Sequence, residues 1–95
     1  MGDVPPAVDN EAASRFEVSV NGRLAELVYR REGDRLVLVH TAVPDELEGR
    51  GVGGILVTAA IERARQHGLT VVPRCPFARG WLERHPEVAS RVPIE

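Results

Sequence analysis

The hydrophobic pattern changes its period once along the chain, and this change limits the folds that the chain can adopt. In the first half, apolar residues alternate with polar ones, as in Phe16, Val18 and Val20. Such alternation is typical of a half-buried strand. After Gly51, apolar residues recur every three or four positions, which is typical of a helix with one buried face. We therefore predict a sheet that precedes the helix packed against it.

Turn signals divide these patterns into elements. Asn21-Gly22 tolerates positive φ at both residues and predicts a hairpin. A second turn is predicted at 32–34, and Gly68 is well placed to end the long helix. The strand that follows the second turn is apolar on both faces at its centre, as in a central strand. Strands are predicted at 16–20, 24–31, 35–43 and 69–73, and helices at 52–67 and 76–84. The order β-β-β-α-β-α predicts an α/β (α+β) fold with a mixed, mainly antiparallel sheet.

Length and composition narrow the class of protein. Ninety-five residues make one domain at most, which we assign to residues 15–95 after a flexible N-terminal tail at 1–14. The net charge of −2 gives no general attraction to nucleic acid or acidic lipid. No apolar run approaches the roughly 20 residues of a membrane helix. One cysteine excludes a disulfide within the chain, and the N-terminus does not resemble a signal peptide, so we expect a cytoplasmic protein. Three scattered histidines and one cysteine lack the spacing of a zinc site.

A glycine-rich segment joins the third strand to the long helix. Gly49, Gly51, Gly53 and Gly54 would let backbone N–H groups approach one anion at the helix N-terminus, where the helix dipole adds positive charge. Arg50 could add a charge-assisted contact. A flexible turn with a glycine for helix packing is the alternative. A Walker loop is excluded because the chain has no lysine. A dinucleotide fingerprint is disfavoured because it belongs early in a parallel βαβ unit, whereas this segment follows three antiparallel strands.

Several motifs in this order resemble one family. The central strand with Val43-Pro44, followed by a Gly-Arg-Gly-Val-Gly-Gly loop that opens a helix, resembles the acetyl-CoA motif of GCN5-related N-acetyltransferases. His40 to Pro44, the sequence Pro-Arg-Cys-Pro-Phe at 73–77 and His-Pro-Glu at 85–87 more closely resemble its small YjdJ-like subgroup. The resemblance covers about residues 16–90. It implies a minimal form of the family fold that uses acetyl-CoA as co-substrate and an unidentified amine as acceptor.

The resemblance also assigns roles by position. It implies that the pantetheine arm pairs with the strand around Ala42 and Val43, and that the thioester lies where this strand and the strand at 69–72 separate, near Cys75. Glu48 stands where the family more often has Gln or Arg, and the only tyrosine, Tyr29, lies far from the last helix. The implied pyrophosphate contacts are backbone N–H groups of Gly49, Arg50, Gly51, Val52, Gly53 and Gly54.

Two side chains are the candidate catalytic residues, Cys75 and His40. The thiol of Cys75 could protonate the leaving thiolate, accept the acetyl group as a nucleophile, or be a small buried hydrophobic group. Arg74 and the following helix N-terminus favour a reactive thiol. His40 could be a general base or a histidine with a structural role in the strand. The backbone N–H near Val43 is a candidate oxyanion donor because Pro44 has none.

Other polar and aromatic residues receive structural interpretations. We expect His67 and His85 to lie at helix ends, Trp81 to lie in the core or line the acyl pocket, and Asp45 and Glu46 to lie in a solvated loop. The function predicted is N-acetyl transfer by a monomer or homodimer. The alternatives are a coenzyme-A-binding or regulatory module without turnover and a structural interaction domain.

Overall fold

Strands and helices follow one another in the predicted order, with additions at both ends of the chain. The computed structural model describes residues 4–95. Its helices are α1 (Val52–His67), α2 (Pro76–Arg84) and α3 (Pro86–Ala89), and its strands are β1 (Val8–Asn10), β2 (Arg15–Val20), β3 (Arg23–Glu32), β4 (Arg35–Ala42) and β5 (Thr70–Pro73).

The sheet runs β1-β2-β3-β4-β5 across the described residues. The first three pairs of neighbours are antiparallel, and β4 and β5 are parallel. Parallel strands need a crossover connection, which α1 supplies. The prediction of a mixed, mainly antiparallel sheet is therefore confirmed, as is the central position of the third predicted strand, which is β4.

The hairpin between β2 and β3 turns as its sequence indicates. Asn21 has φ 50° and Gly22 has φ 78°. Two consecutive residues at positive φ match the twist of an antiparallel hairpin. This turn sets the register in which Val18 lies opposite Ala25, and both side chains are buried.

The long helix packs one face against the sheet, and that face lies further round than the sequence indicates. Val57 and Ile61 are fully buried, whereas Ile55 and Ala59, which follow the predicted spacing of three or four positions from Val52, are only half-buried. The helix also contacts α2 and α3. Burial follows from these several partners together, so the widest apolar stripe does not identify the inner face by itself.

The N-terminal residues correct the prediction of a tail. Residues 8–13 form β1 and a turn of 3-10 helix, and β1 pairs with the start of β2. Asp9 holds this segment, since it accepts a hydrogen bond from the hydroxyl group of Tyr29 at 2.6 Å and pairs with Arg63 of α1. Residues 1–3 of the predicted tail lie outside the described residues.

An irregularity in β4 positions the side chains beyond it. Tyr29 of β3 lies opposite Leu38 and Val28 lies opposite His40, so Val39 has no partner and forms a bulge. The parallel pairing with β5 also ends here. The carbonyl oxygen of Leu38 accepts hydrogen bonds from the backbone N–H groups of Arg74 and Cys75, each at 3.0 Å. Beyond Leu38, β4 pairs with β3 on one side and has an open edge on the other.

Candidate active site

A groove of about 810 Å³ lies where β4 leaves β5, and its volume is in the range of small-molecule sites. The end of β4, the glycine loop, the first turn of α1 and one face of α2 form its walls. The lining residues are Leu24, Thr41, Ala42, Val43, Pro44, Leu47, Glu48, Gly49, Gly51, Val52, Gly53, Gly54, Phe77 and Trp81.

Two glycines of the loop have a backbone conformation that side chains rarely adopt. Gly49 has φ 82° and Gly51 has φ 76°. A Cβ atom built on either residue meets no atom of residues 4–95 within 4 Å, so the space in front of the backbone is open. Glycine is required here by conformation, and it leaves the loop accessible from the groove.

The first turn of α1 begins at this loop without a side-chain cap among the described residues. Gly51 occupies the N-cap position, and the first helical hydrogen bond runs from the N–H of Ile55 to the carbonyl oxygen of Gly51. The first turn carries no acidic residue. The backbone N–H groups that precede Ile55 therefore remain available for an anion, which the helix dipole also favours.

The next two glycines have a different role, which is close packing between helices. A Cβ atom at Gly53 would overlap the ring of Phe77, and one at Gly54 would lie 2.7 Å from Nε1 of Trp81. Both aromatic side chains come from α2 and also line the groove. The packing alternative of the sequence analysis thus accounts for Gly53 and Gly54, while the conformational requirement applies to Gly49 and Gly51.

The two charged residues of the loop, Glu48 and Arg50, differ in their position relative to the groove. Glu48 lines the groove next to the glycines and is exposed. Arg50 is exposed and lies outside the described lining. The neighbouring loop residue Glu46 pairs with Arg23 at 3.3 Å on the surface, in agreement with the expected solvated loop.

Cys75 lies behind the groove rather than in its wall. It is 3% exposed and belongs to the core cluster between the sheet and the helices. Its Sγ lies 3.2 Å from Oγ1 of Thr41, which does line the groove. Cys75 is also the N-cap residue of α2, where the helix dipole favours a negative charge. The buried-hydrophobe interpretation is thus correct for its surroundings, while the contact with Thr41 gives the thiol a polar partner.

His40 lies on the other face of β4. Its register partner is Val28, whereas Thr41 pairs with Leu27, a core residue. Neighbouring strand residues point to opposite faces. His40 is exposed and does not belong to the described lining of the groove. The structure therefore separates the two candidate catalytic side chains, and Thr41 rather than His40 contacts Cys75.

Aromatic residues complete the surroundings of the groove. The rings of Trp81 and His85 stack with centroids 3.8 Å apart, and Nδ1–H of His85 donates to the carbonyl oxygen of Trp81 at 2.8 Å. His85 ends α2, as expected. Tyr29 is buried away from the groove lining, and burial together with the charge of Glu11 raises its pKa.

Four lining side chains were given no role in the site by the sequence analysis, namely Leu24, Thr41, Leu47 and Phe77. Phe77 remains 41% exposed although it packs against Gly53. The pair of small residues at the start of α1 was the available signal, because a glycine inside a helix often marks close packing. Thr41 gave no such signal, since its direction depends on the bulge.

The described part of the chain contains neither a metal-binding cluster nor a helix that could span a membrane. Residues 4–95 bring no three His, Cys, Asp or Glu side chains together in a group that could hold a metal ion. Among the same residues, no helix combines the length and apolar character required to cross a membrane.

Comparison with known proteins identifies the family. Residues 15–92 match the sequence model of the GCN5-related N-acetyl-transferase family. Protein NATD1 of Mus musculus is 33% identical over 86% of this chain and 78% of its own length, and the Homo sapiens protein is 33% identical over 76% of its length. The solution structure of a GCN5-like candidate N-acetyltransferase from Staphylococcus aureus aligns with TM-score 0.68 and 30% identity, covering 95% of this chain and 86% of that one. Because these matches span nearly all of the chain, it belongs to the GCN5-related N-acetyltransferases, a family of acetyltransferases.

Proposed function

We propose that this chain binds acetyl-CoA in the groove and transfers its acetyl group to an amine. One observation supports this most strongly. The accessible loop at Gly49 and Gly51, the uncapped start of α1 and the open edge of β4 all border the same groove. An anion-binding terminus beside an extended backbone edge suits a long ligand with a pyrophosphate in its middle and amides along its arm.

The loop would hold the pyrophosphate. Backbone N–H groups from Gly49 through Gly54 supply donors, and the dipole of the sixteen-residue helix α1 adds positive charge at the same place. Exposed Arg50 reaches a bound phosphate from the solvent side. The carboxylate of Glu48 must turn away from that anion, since like charges in one site repel.

The open edge of β4 would hold the pantetheine arm. Ala42 and Val43 line the groove beyond the last contact between β4 and β5. Amides of the arm pair there with backbone groups, as an added strand would. The N–H group of Val43 is the proposed donor to the oxyanion that forms when the amine attacks, and it acts by stabilising charge that develops in the transition state.

Proton transfer needs an acid and a base. We assign the acid to Cys75, because the leaving group is a thiolate and this thiol lies directly behind Thr41, which lines the groove. His40 is the proposed base, because its exposed ring lies on the opposite face of β4, from which an amine can approach without crossing the core. Acid and base on opposite faces agree with a reaction in which the amine loses a proton while the thiolate gains one.

Calorimetric titration with acetyl-CoA and with free CoA tests the site. Gly51→Ala should weaken binding by about tenfold or more, because its Cβ enters the open space before the loop and one charge-assisted hydrogen bond is worth roughly 1.5–3 kcal/mol. Gly33→Ala is the matched control, since Gly33 also has positive φ (62°) with open space but lies in the turn at the far end of β4. Equal binding by both variants, or no binding by the unaltered chain, would refute the assignment.

Turnover separates the enzyme from a coenzyme-binding module without activity, which the separation of His40 from Cys75 keeps as a second candidate. The measurement is release of the CoA thiol from acetyl-CoA in the presence of ethanolamine, spermidine or a lysine-containing peptide. Cys75→Ala should abolish release and leave acetyl-CoA affinity unchanged. Binding without release for every amine favours the non-catalytic module.

Intact mass distinguishes an acid from a nucleophile at Cys75. The chain contains no lysine, so an acetyl group acquired from acetyl-CoA and removed by hydroxylamine identifies a thioester on its single cysteine. With Cys75 buried and acting as an acid, we expect no such adduct. A hydroxylamine-sensitive adduct that turns over with an amine would instead establish the nucleophilic route.

The setting of the reaction follows the sequence-based expectations. The single cysteine fits a reducing compartment, so we place the reaction in the cytoplasm. The acceptor is a small-molecule, peptide or protein amine rather than a nucleic acid, and the active species is a monomer or a homodimer. The YjdJ-like subgroup likewise remains a prediction.

A further inference from the structure

The side chain of Thr41 separates the buried thiol of Cys75 from the groove. Thr41 Oγ1 and Cys75 Sγ lie 3.2 Å apart, within hydrogen-bond distance of a sulfur atom. Thr41 belongs to the groove lining, whereas Cys75 is 3% exposed and lies outside that lining. A proton that leaves the thiol for a ligand in the groove therefore meets the threonine hydroxyl group first.

The bulge in β4 produces this contact. In a regular strand, His40 would follow Leu36 and Leu38 on the face that packs against α1. Because Val39 has no partner in β3, the alternation is shifted by one residue, and Thr41 faces the core instead. Val39 thus places a hydroxyl group rather than an imidazole beside Cys75.

We propose that Thr41 is a further catalytic residue, which transfers a proton from Cys75 to the sulfur of CoA as the thioester breaks. This inference rests on the function proposed above. As the amine nitrogen bonds to the carbonyl carbon, the carbon–sulfur bond breaks and its electron pair stays on the CoA sulfur. The hydroxyl proton of Thr41 moves to that sulfur, and the thiol proton of Cys75 moves to Oγ1 in the same step. The proton that the amine loses passes to the proposed base His40 and from there to solvent, which later reprotonates Cys75.

The chemistry of the two groups makes each depend on the other. Thr41 alone would become an alkoxide, which is far too basic to form at neutral pH. Cys75 alone lies outside the groove lining and does not meet the sulfur. A proton that passes from one alkyl thiol to the thiolate of another leaves a pair of the same chemical kind, so the exchange needs no strongly basic intermediate. The thiolate left on Cys75 lies at the N-terminus of α2, where the helix dipole favours it.

Kinetic comparison of single and double variants tests whether the pair acts as a unit. Thr41→Val keeps the shape and removes the hydroxyl group, and it should lower kcat by about 10²–10⁴, the usual contribution of general acid catalysis, with an unchanged KM for acetyl-CoA. Thr41→Ser should restore most of kcat. The double variant with Cys75→Ala should be no slower than either single variant, because residues that act in one step are not additive. Thr58→Val is the matched control, since Thr58 lies on α1 outside this groove.

Binding of free CoA and of desulfo-CoA gives a test that needs no acceptor amine. At a pH high enough to ionise the thiol of CoA, a donating Thr41 hydroxyl group should favour CoA over desulfo-CoA by about tenfold relative to pH 7, the value of one hydrogen bond to a charged group. Both ligands carry the same phosphates and meet the same Glu48, so the effects of these charges on the two affinities cancel in their ratio. In Thr41→Val, the preference for CoA over desulfo-CoA should not change with pH. In Thr41→Ser, the rise of this preference with pH should be retained.

The outcomes separate this inference from the proposed function. Absence of binding by both ligands would overturn the groove assignment and this inference with it. Binding with a ratio that rises equally in the unaltered chain and in Thr41→Val would overturn only the role of Thr41. A fall in kcat that Thr41→Ser fails to restore, or a double variant much slower than both single variants, would do the same. Should Thr41→Val not fold, Thr41→Ala removes the same hydroxyl group in a smaller side chain.

Discussion

Replacement of Gly54 by alanine tests whether the start of α1 is shaped by helix packing. The added Cβ atom would lie 2.7 Å from Nε1, 3.0 Å from Cε2 and 3.1 Å from Cζ2 of Trp81. These atoms belong to one rigid indole, which is stacked on His85 and cannot move away without loss of that contact. At Gly53 the added atom meets the outer end of Phe77, whose ring is 41% exposed and can turn into solvent.

The two substitutions, Gly53→Ala and Gly54→Ala, should change the free energy of unfolding in different directions. Overpacking a core costs about 1–3 kcal/mol, whereas alanine in a helix is favoured over glycine by about 1 kcal/mol. Gly53→Ala should therefore leave the free energy of unfolding unchanged or raise it by up to about 1 kcal/mol. Gly54→Ala should lower it by about 1 kcal/mol, so that the two variants differ by about 1–2 kcal/mol.

Urea unfolding followed by fluorescence measures this difference, because Trp81 is the only tryptophan of the chain. A far-ultraviolet circular dichroism series then completes a double-mutant cycle with Trp81→Ala, in which the cost of Gly54→Ala should vanish. The reasoning is refuted if Gly54→Ala is as stable as Gly53→Ala, or if its cost persists after the indole is removed.

Three further predictions follow from side chains outside the loop. The absorbance of the single phenolate should show that the pKa of Tyr29 is raised above its usual value of about 10, and Glu11→Gln should lower this pKa. Because the pKa is raised in the folded state, the free energy of unfolding should fall as the pH rises above about 10. Leu56→Ala should cost about 2–5 kcal/mol in urea unfolding, whereas exposed Gln66→Ala should change it by less than about 0.5 kcal/mol. His40→Gln should lower kcat without changing acetyl-CoA affinity, and an unaltered kcat would dismiss His40 as the base.

Local signals predicted most of the fold. The Asn21-Gly22 turn, the apolar alternation of β2 and the glycine after α1 each depend on neighbouring residues, and each lies where the sequence indicates. Strand β1 was missed because it is short and partly exposed, and because the side-chain contacts that hold it come from residues distant in sequence. It has three residues, its Val8 is 62% exposed, and Asp9 is held by Tyr29 and Arg63, which no local pattern shows.

The sequence indicated where the residues of the candidate site lie along the fold, but not to which face of the sheet their side chains point. The glycine loop and the place of Cys75 after β5 follow from the order of motifs along the chain. The direction of His40 does not, because regular alternation groups it with Leu36 and Leu38, and one unpaired residue at Val39 reverses that grouping. Such a bulge leaves no mark in the apolar run of β4, whose centre is apolar on both faces. Thr41 could therefore be recognised only from the structure.

The place of the open strand edge also bears on aggregation. An unpaired strand at the rim of a sheet can recruit the sheet of another molecule. Here the open edge of β4 beyond Leu38 lies on the side of β5, between two neighbouring strands of the sheet order. One end of the order is the three-residue strand β1, and beyond β5 a short parallel bridge joins Val71 to Ile94, next to Pro93. A gap in the interior of a sheet admits one narrow chain, whereas a rim admits a whole second sheet. The fold thus leaves a hydrogen-bonding edge unpaired at a place where the sheet of another copy of the protein meets β5 first.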